Sequence, residues 1–395
     1  MTEPITHELA RILSEPIASV IDRERNALDR LLEVSGRKVV LFGAGGLGKQ
    51  TLACLRRIGV EPLAVSDNNS SLWGTELDGI EVLPPRAGAD RFGADAWFIV
   101  TIWNPFHWYS ETRVQLESLG CKRIMPPSPV YWRFAETFLP FYTQDLPHLV
   151  HQQADAVLEA ADIWSDDSSR QEYLQQISWR ASGSWTFRRP QNADSYFLND
   201  VFELIDNEVF IDCGAFDGDT LRGYLSRRQD AFRHFVAIEP DRVTFAKLDA
   251  YVGGLPAELR CKISVLNCAV GAERAMIGFQ DSGGLSSKSS HGGASQIISL
   301  PIAEMADSWR PFTYIKMDIE GAELDALVGA RPVIERDRPV LAVCVYHTQH
   351  DLWRLPLLMK SMVPDYQMYL RCHEGDGWQT VAYAVPSDRA VQPCM

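Results

Sequence analysis

Three aspartates, Asp212, Asp217 and Asp219, crowd the glycine turn of VFIDCGAFDGDT, residues 209–220, around Gly214 and Gly218. A glycine turn after an apolar run ordinarily cradles phosphate, because its bare amides face the anion. Here phosphate would meet like charge. Two unit charges ~4 Å apart interact by about 4 kcal/mol at a surface-like dielectric, and three acids would face the anion. A ligand with an ammonium, a sulfonium and a ribose but no phosphate suits them, and S-adenosylmethionine is that ligand. Asp212, Asp217 or Asp219 can take its amino group. Gly214 lets the backbone approach it, and Ala215 and Gly218 complete the turn. Glu239 closes the next apolar run in VAIEP, just before Pro240, and can accept from both ribose hydroxyls. LNCAVG (266–271) closes the third, which puts Cys268 and Ala269 where an adenine would lie. Read alone, each acid fits turn or N-cap chemistry. The ordered set at successive strand ends is what argues for a ligand.

Methyl transfer from such a ligand is an in-line displacement at a carbon activated by the sulfonium. The protein must align the acceptor and remove its proton. YIKMDIEGAE ends a fourth apolar run on Asp318, with Glu320 two residues on and Glu323 opening a helix. Capping of the helix that begins at Gly321 is the other use for these acids. His347 ends the fifth run in VCVYHTQHD and is the natural base, its ordinary pKa lying near neutrality. Asp351 could orient an imidazole or cap a helix. His350, His373 and Lys316 are weaker candidates. The sequence shows no full ligand set for a divalent ion, and no metal is expected.

The elements that position these residues alternate. From about 195, strands at VFID, HFVAIE, KISVLNCAV, TYIKMD and PVLAVCVY are interleaved with helices, which implies a parallel sheet. YQMYLR and TVAYAV, joined by CHEGDGW, read as an antiparallel hairpin. The stretch DSGGLSSKSSHGGASQ (281–296) reads as a surface linker or as a lid over the acceptor site. Tyr196 or Phe197, in DSYF, could stack near the cofactor or simply pack the core. A first alternating region precedes all this. There VVLFGAGGLGKQ carries Gly43, Gly45 and Gly48 between a strand and a helix, with Asp67 24 positions after Gly43, a candidate nucleotide turn and its ribose-binding acid. Four segments follow: a helical segment 1–36 with one amphipathic helix over 5–34, an α/β domain 37–130, a helical connector 131–190, and a catalytic domain 191–395.

Several stretches carry a family resemblance. VFIDCGAFDGDT, VAIEPD, LNCAVG, YIKMDIEGAELDALVGA and VYHTQHDLWRLP resemble the FkbM family of S-adenosylmethionine-dependent methyltransferases over about 190–386. The connector, DIWSDDSSRQEYLQQISWR, resembles the helical segment that precedes the catalytic domain in some members. FGAGGLGK, VSDNN and GTELDGIEVLPP resemble the N-terminal Rossmann-like domain of bacterial sugar-nucleotide-modifying enzymes, which holds a nucleotide sugar or serves as a scaffold. The resemblance implies an α/β chain of two Rossmann-like units. The C-terminal one would be a class I methyltransferase fold with a seven-stranded, mostly parallel sheet whose last strand is antiparallel. It implies O-methylation of sugar-like or polyketide hydroxyls. Two departures lie near where an acceptor could bind: Pro301, where many members have an aspartate, and the missing glutamate before His347 in VCVYH.

Composition narrows the alternatives. The net charge is −14 over 395 residues, which argues against a phosphate-backbone partner. No apolar stretch reaches the ~20 residues of a membrane span, and the first residues lack the h-region of a signal peptide. The eight cysteines show no CxxC pair and read as reduced thiols of a cytoplasmic protein. The expected partners are a small-molecule or glycan-type acceptor, a nucleotide or nucleotide sugar at the first turn, and a second copy in a homodimer. Two rival functions are a non-catalytic cofactor-binding scaffold and a nucleotide-dependent oxidoreductase using Gly43–Gly48. The first is opposed by the intact acids, the second by the lack of a Tyr-xxx-Lys pair after that turn.

Overall fold

The computed structural model describes residues 5–187, 195–279, 295–305 and 307–391. The chain divides into two units. The first comprises Met1–Leu158, Tyr173–Pro190 and Glu374–Trp378, and the second Glu159–Glu172, Gln191–His373 and Gln379–Met395. Residues 131–190, expected as a connector of their own, are thus shared between the units.

The first unit begins with two helices, Ile5–Leu13 and Ile17–Val34, where the apolar periodicity suggests one. Pro16 stands at the break with ψ 131°, and a proline can neither donate to nor sit inside a continuing helix. The sheet that follows runs β1 (Val39–Phe42), β2 (Ala64–Ser66), β3 (Glu76–Leu77), β4 (Ile80–Leu83), β5 (Trp97–Val100) and β6 (Ile124–Met125) in the chain. Its spatial order is β3-β4-β2-β1-β5-β6, parallel except for the edge strand β3. All four residues of β1 are buried, as a central strand covered on both faces requires. Leu28 and Leu32 from the second helix pack with Val39, Leu41, Leu52 and Ile99 in one core.

The second unit holds seven strands in one sheet: β7 (Val209–Cys213), β8 (His234–Ile238), β9 (Ile263–Leu266), β13 (Tyr314–Met317), β14 (Val340–Cys344), β15 (Gln367–Cys372) and β16 (Thr380–Val385), ordered β15-β16-β14-β13-β7-β8-β9. The strands are parallel except β16, which inserts antiparallel between β14 and β15. The run KISVLNCAV is not one strand. It breaks after β9, and β10 (Ala269–Val270) joins β11 (Ala275–Phe279) and β12 (Ser295–Leu300) in a separate three-stranded sheet. Asn267 fixes the bend, donating through Nδ2 to the carbonyls of Glu239 at 2.8 Å and Pro240 at 3.1 Å. The stretch 281–296 lies outside the described residues apart from Ser295 and Gln296. The winding reverses between β7 and β13, and ligands of such sheets bind beyond the carboxyl strand ends at that point. Among the described residues no helix is long and apolar enough to cross a membrane.

Candidate active site

The acid-rich turn leaves β7 on Gly214, at φ 80°. A Cβ there would lie 1.9 Å from the Asp318 carbonyl oxygen. The glycine is therefore required by the neighbouring backbone as well as by the turn. Phe216, at φ 47°, and Gly218, at φ 91°, carry the chain into the helix Asp219–Arg228.

The three aspartates have three different surroundings. Asp212 is fully buried and sits 2.9 Å from Lys316 Nζ. The two residues are register partners on β7 and β13. Burial pushes the Asp212 carboxyl up to about 7 against the pull of the lysine. Burial opposes the charge on Lys316, but Asp212, Asp318 and Asp219 outweigh it and raise its pKa. Lys316 also donates to the Gly214 carbonyl at 2.7 Å, bracing the turn. Asp217 pairs with Arg222. Asp219 remains exposed on the first turn of its helix, accepting from the Thr220 amide at 2.7 Å. Among the described residues it is the acid of the three with no salt bridge to a cation.

Glu239 is buried against the turn. Its Oε2 accepts from the Phe216 amide and its Oε1 from the Asp241 amide, both at 2.8 Å. Burial raises its pKa, countered by these bonds. Pro240 follows it, and Cys268 and Ala269, both buried, flank the break between β9 and β10.

Beyond β13 and β14 the second cluster forms. Asp318 accepts from Tyr196 Oη at 2.8 Å on Oδ2, and from Tyr346 Oη at 3.3 Å on Oδ1. His347 Nε2 lies 3.3 Å from the same Oδ1 and 3.9 Å from Glu320 Oε1. The other ring nitrogen, Nδ1, lies 2.8 Å from Glu323 Oε1. That oxygen also accepts from the Ile319 amide at 2.9 Å, which ties Glu323, the first residue of the helix Glu323–Asp337, to the turn before it; no side chain caps the helix. Burial alone would raise the Asp318 pKa, but His347 and Lys316 hold it well below the usual carboxylate range. Burial opposes a charge on His347, yet Glu323 and Asp318 outweigh it and raise its pKa well above the ordinary value. The two carboxylates, one at each ring nitrogen, thus act on His347 in the opposite sense to its burial.

Asp318, Glu320 and His347, separated in the sequence, thus meet at one sheet edge beside the turn. His350 and His373 do not join them. His350 stands at the N-cap of the helix Asp351–Met362, and Asp351 accepts from the Thr348 amide at 3.0 Å. His373 bonds Tyr383 Oη at 2.8 Å. Phe197 packs near Phe210 and Tyr224, while Tyr196 bonds Asp318 directly. Tyr346 was not singled out from the sequence. Its place immediately before His347 in VYH is the signal that could have found it. In the first unit, Asp67 Oδ2 accepts from the Ala44 amide at 2.7 Å, inside the turn of Gly43, Gly45 and Gly48.

Residues 212–373 match a family model described as the methyltransferase FkbM domain. In structure the chain is similar to a methyltransferase FkbM from Methylobacillus flagellatus KT, at TM-score 0.73 and 24% identity over 93% of this chain and 98% of that one. At that identity the likeness speaks for the fold. The methyltransferase domain of a bacterial CtHen1 aligns at TM-score 0.30 and 11% identity over 45% of this chain and 90% of its own, too weak to carry an argument. No curated protein matches the chain.

Proposed function

We propose that the second unit is an S-adenosylmethionine-dependent methyltransferase acting on a hydroxyl of a sugar-containing or related acceptor. One observation carries the reading: within the matched domain, Asp318 and His347 Nε2 lie 3.3 Å apart at the carboxyl edge of the sheet, beside the acid-rich turn. The residues of the turn fit a cationic, phosphate-free ligand, since Asp219 is exposed there and Arg222 is already paired with Asp217. Asp219 would take the amino group, Glu239 the ribose, and Cys268 and Ala269 the adenine, with Gly214, Ala215, Gly218 and Pro240 shaping the wall. When bound, the cofactor supplies an electrophilic methyl carbon. Asp318, oriented by Tyr196 and Tyr346, holds the acceptor hydroxyl. Glu320 shares the position to receive its proton, and the charge on His347 balances the two carboxylates. Asp212 and Lys316 act by bracing the turn.

The first unit reads as a Rossmann-like scaffold, and a nucleotide or nucleotide sugar at Gly43, Gly45 and Gly48 is the ligand its turn would take. Gly45 and Gly46 have open space above them, with nothing within 4 Å of a built Cβ.

Calorimetry with S-adenosylmethionine tests the assignment. Glu239→Ala should cost about 1.5–3 kcal/mol for each ribose hydrogen bond lost. Unchanged affinity in that variant would remove the ribose role. Mass spectrometry of ligands carried through purification would identify the acceptor class.

A further inference from the structure

We propose that Gln379 is a positioning residue for Asp318, acting through the hydroxyl of Tyr196. Gln379 stands just before β16, which runs antiparallel to β14. That reversed direction brings the start of β16, rather than its end, to the carboxyl edge of the sheet, beside Cys344 at the end of β14. There Gln379 takes φ 48°, a left-handed conformation uncommon for residues other than glycine. Tyr196 is left-handed too, at φ 69°. Such strain persists only where the surroundings hold it, and it gathers at functional sites. The hold on Tyr196 is explicit. Its amide donates to Tyr383 Oη at 3.3 Å, its carbonyl accepts from Tyr314 Oη at 2.5 Å, and Lys316 Nζ lies 5.1 Å from the centre of its ring.

Three side chains meet around the phenol, all within the second unit. Gln379 Nε2 donates to Tyr196 Oη at 3.4 Å, and Cys344 Sγ donates to Gln379 Oε1 at 3.8 Å. Tyr196 Oη in turn donates to Asp318 Oδ2 at 2.8 Å, with Cys344 Sγ 3.4 Å from it. Donors and acceptors follow one direction: thiol to amide carbonyl, amide N–H to phenol, phenol to carboxylate. Burial, with the Asp318 charge adding to it, raises the pKa of Tyr196 and of Cys344 well above the ordinary values, so each has a proton to give. Reversing the amide would set its carbonyl against the phenol, where it would compete with Asp318 for the one phenolic proton. In the orientation present, the amide N–H occupies a lone pair of the phenol and the proton is left to the carboxylate. Asp318 is thereby divided. Oδ2 holds the short bond, while Oδ1 meets Tyr346 Oη and His347 Nε2 only at 3.3 Å. Oδ1 has the weaker attachments and is the oxygen offered to an acceptor hydroxyl. That last role rests on the methyl-transfer reading; the chain of bonds from Gln379 to Oδ2 does not.

The first arm of the test needs no acceptor. The full chain carries aspartate labelled with carbon-13 at its side-chain carboxyl, and the Asp318 resonance is the one lost in Asp318→Asn. Tyr196→Phe keeps the ring and removes the hydroxyl, which should shift that resonance. Gln379→Glu keeps the size of the side chain but replaces the N–H donor by an acceptor that draws the phenolic proton from Asp318. It should shift the resonance in the same direction, and should shift it no further in the Tyr196→Phe background, where the hydroxyl is gone. Tyr369→Phe breaks a bond to Gln367 Oε1 at the amino end of β15 and should leave the resonance in place. A resonance unmoved by Gln379→Glu, or moved as far in the Tyr196→Phe background, overturns the proposal. Gln379 is half-buried, so its variant stays informative even where Tyr196→Phe fails to fold. The second arm is labelled methyl transfer to the acceptor identified by mass spectrometry. Tyr196→Phe should lower kcat by about 10–100-fold and Gln379→Glu by about two- to tenfold, with S-adenosylmethionine affinity unchanged in calorimetry. Losses that appear in cofactor affinity instead of kcat overturn the positioning role. A shifted resonance in a native chain that transfers no methyl group removes only the methyl-transfer reading and leaves the brace on Asp318.

Discussion

The two glycine turns are built alike and furnished differently. Gly43 follows β1 as Gly214 follows β7, both at positive φ. In each, an acid at the end of the next strand reaches back to a turn amide: Asp67 to Ala44, and Glu239 to Phe216. In each, the residue after the neighbouring strand donates its amide to the last carbonyl before the glycine. Thr101 does so to Phe42 at 2.8 Å and Asp318 to Cys213 at 3.1 Å. The frame is shared down to single hydrogen bonds. What differs is the chemistry placed on it. Where the second unit pairs Asp212 with Lys316 in register, the first pairs Leu41 with Ile99. Where the second ends its strand on Asp318, the first ends on Thr101, whose hydroxyl is spent on the carbonyls of Phe42 and Gly43. The turn is thus an architectural device, and the reactive edge is an addition made in one unit.

The sharpest way to break this comparison is to exchange the strand-end residues' chemistry. Asp318→Asn should lower methyl-transfer turnover by about 10²–10⁴-fold with cofactor binding retained, whereas Thr101→Val should leave turnover unchanged. Labelled methyl transfer to a verified acceptor, with calorimetry alongside, reads both. Equal losses in the two variants would show that the edges are not functionally distinct.

The turns themselves can be probed by adding one carbon. Gly214→Ala would drive a Cβ to 1.9 Å from the Asp318 carbonyl and should destabilise the second unit by about 4 kcal/mol or more. Gly45→Ala, with open space, should shift stability by no more than about 0.5 kcal/mol. Denaturant unfolding compares them.

Next is the inner pair. Lys316→Met leaves Asp212 buried alone and should cost about 3–5 kcal/mol. The double variant Asp212→Leu with Lys316→Ile copies the Leu41–Ile99 arrangement of the first unit. It should recover most of that loss in the same unfolding measurement. A double variant as unstable as the single one would mean that the charges themselves hold the sheet together.

The first unit has a buried acid of its own. Asp376 accepts from the Tyr109 amide at 2.7 Å, and burial pushes its carboxyl up to about 7. Its folded pKa is raised above the unfolded one. The stability it contributes is therefore full below about pH 4 and is lost as pH rises to about 7. At 1.36 kcal/mol per pKa unit the whole change is at most about 4 kcal/mol. Asp376→Asn should flatten that part of the pH–stability curve; an unaltered slope would place the titration elsewhere.

Much of this molecule is legible in its sequence because the governing chemistry is local. Apolar runs with period two or complete burial mark strands, and glycines mark turns that no other residue can follow. Asp212, Glu239, Asp318 and His347 all declare themselves by standing at or near strand ends. The misreadings share one cause. The helix over 5–34 was read through Pro16, and KISVLNCAV through Asn267, because periodicity outlasts a break that one side chain imposes. What the sequence could not determine is which strand ends become neighbours. Sheet order alone puts Lys316 beside Asp212, so that an acid expected to meet a ligand is also paired with a lysine. Sheet order also places β14 against β13, so that His347 reaches both Asp318 and Glu323, which raise its pKa against the effect of burial. Hydrogen-bond distances and the fields that set a pKa fall off within a few ångströms, and such closeness between residues far apart in the chain exists only once the sheet has formed.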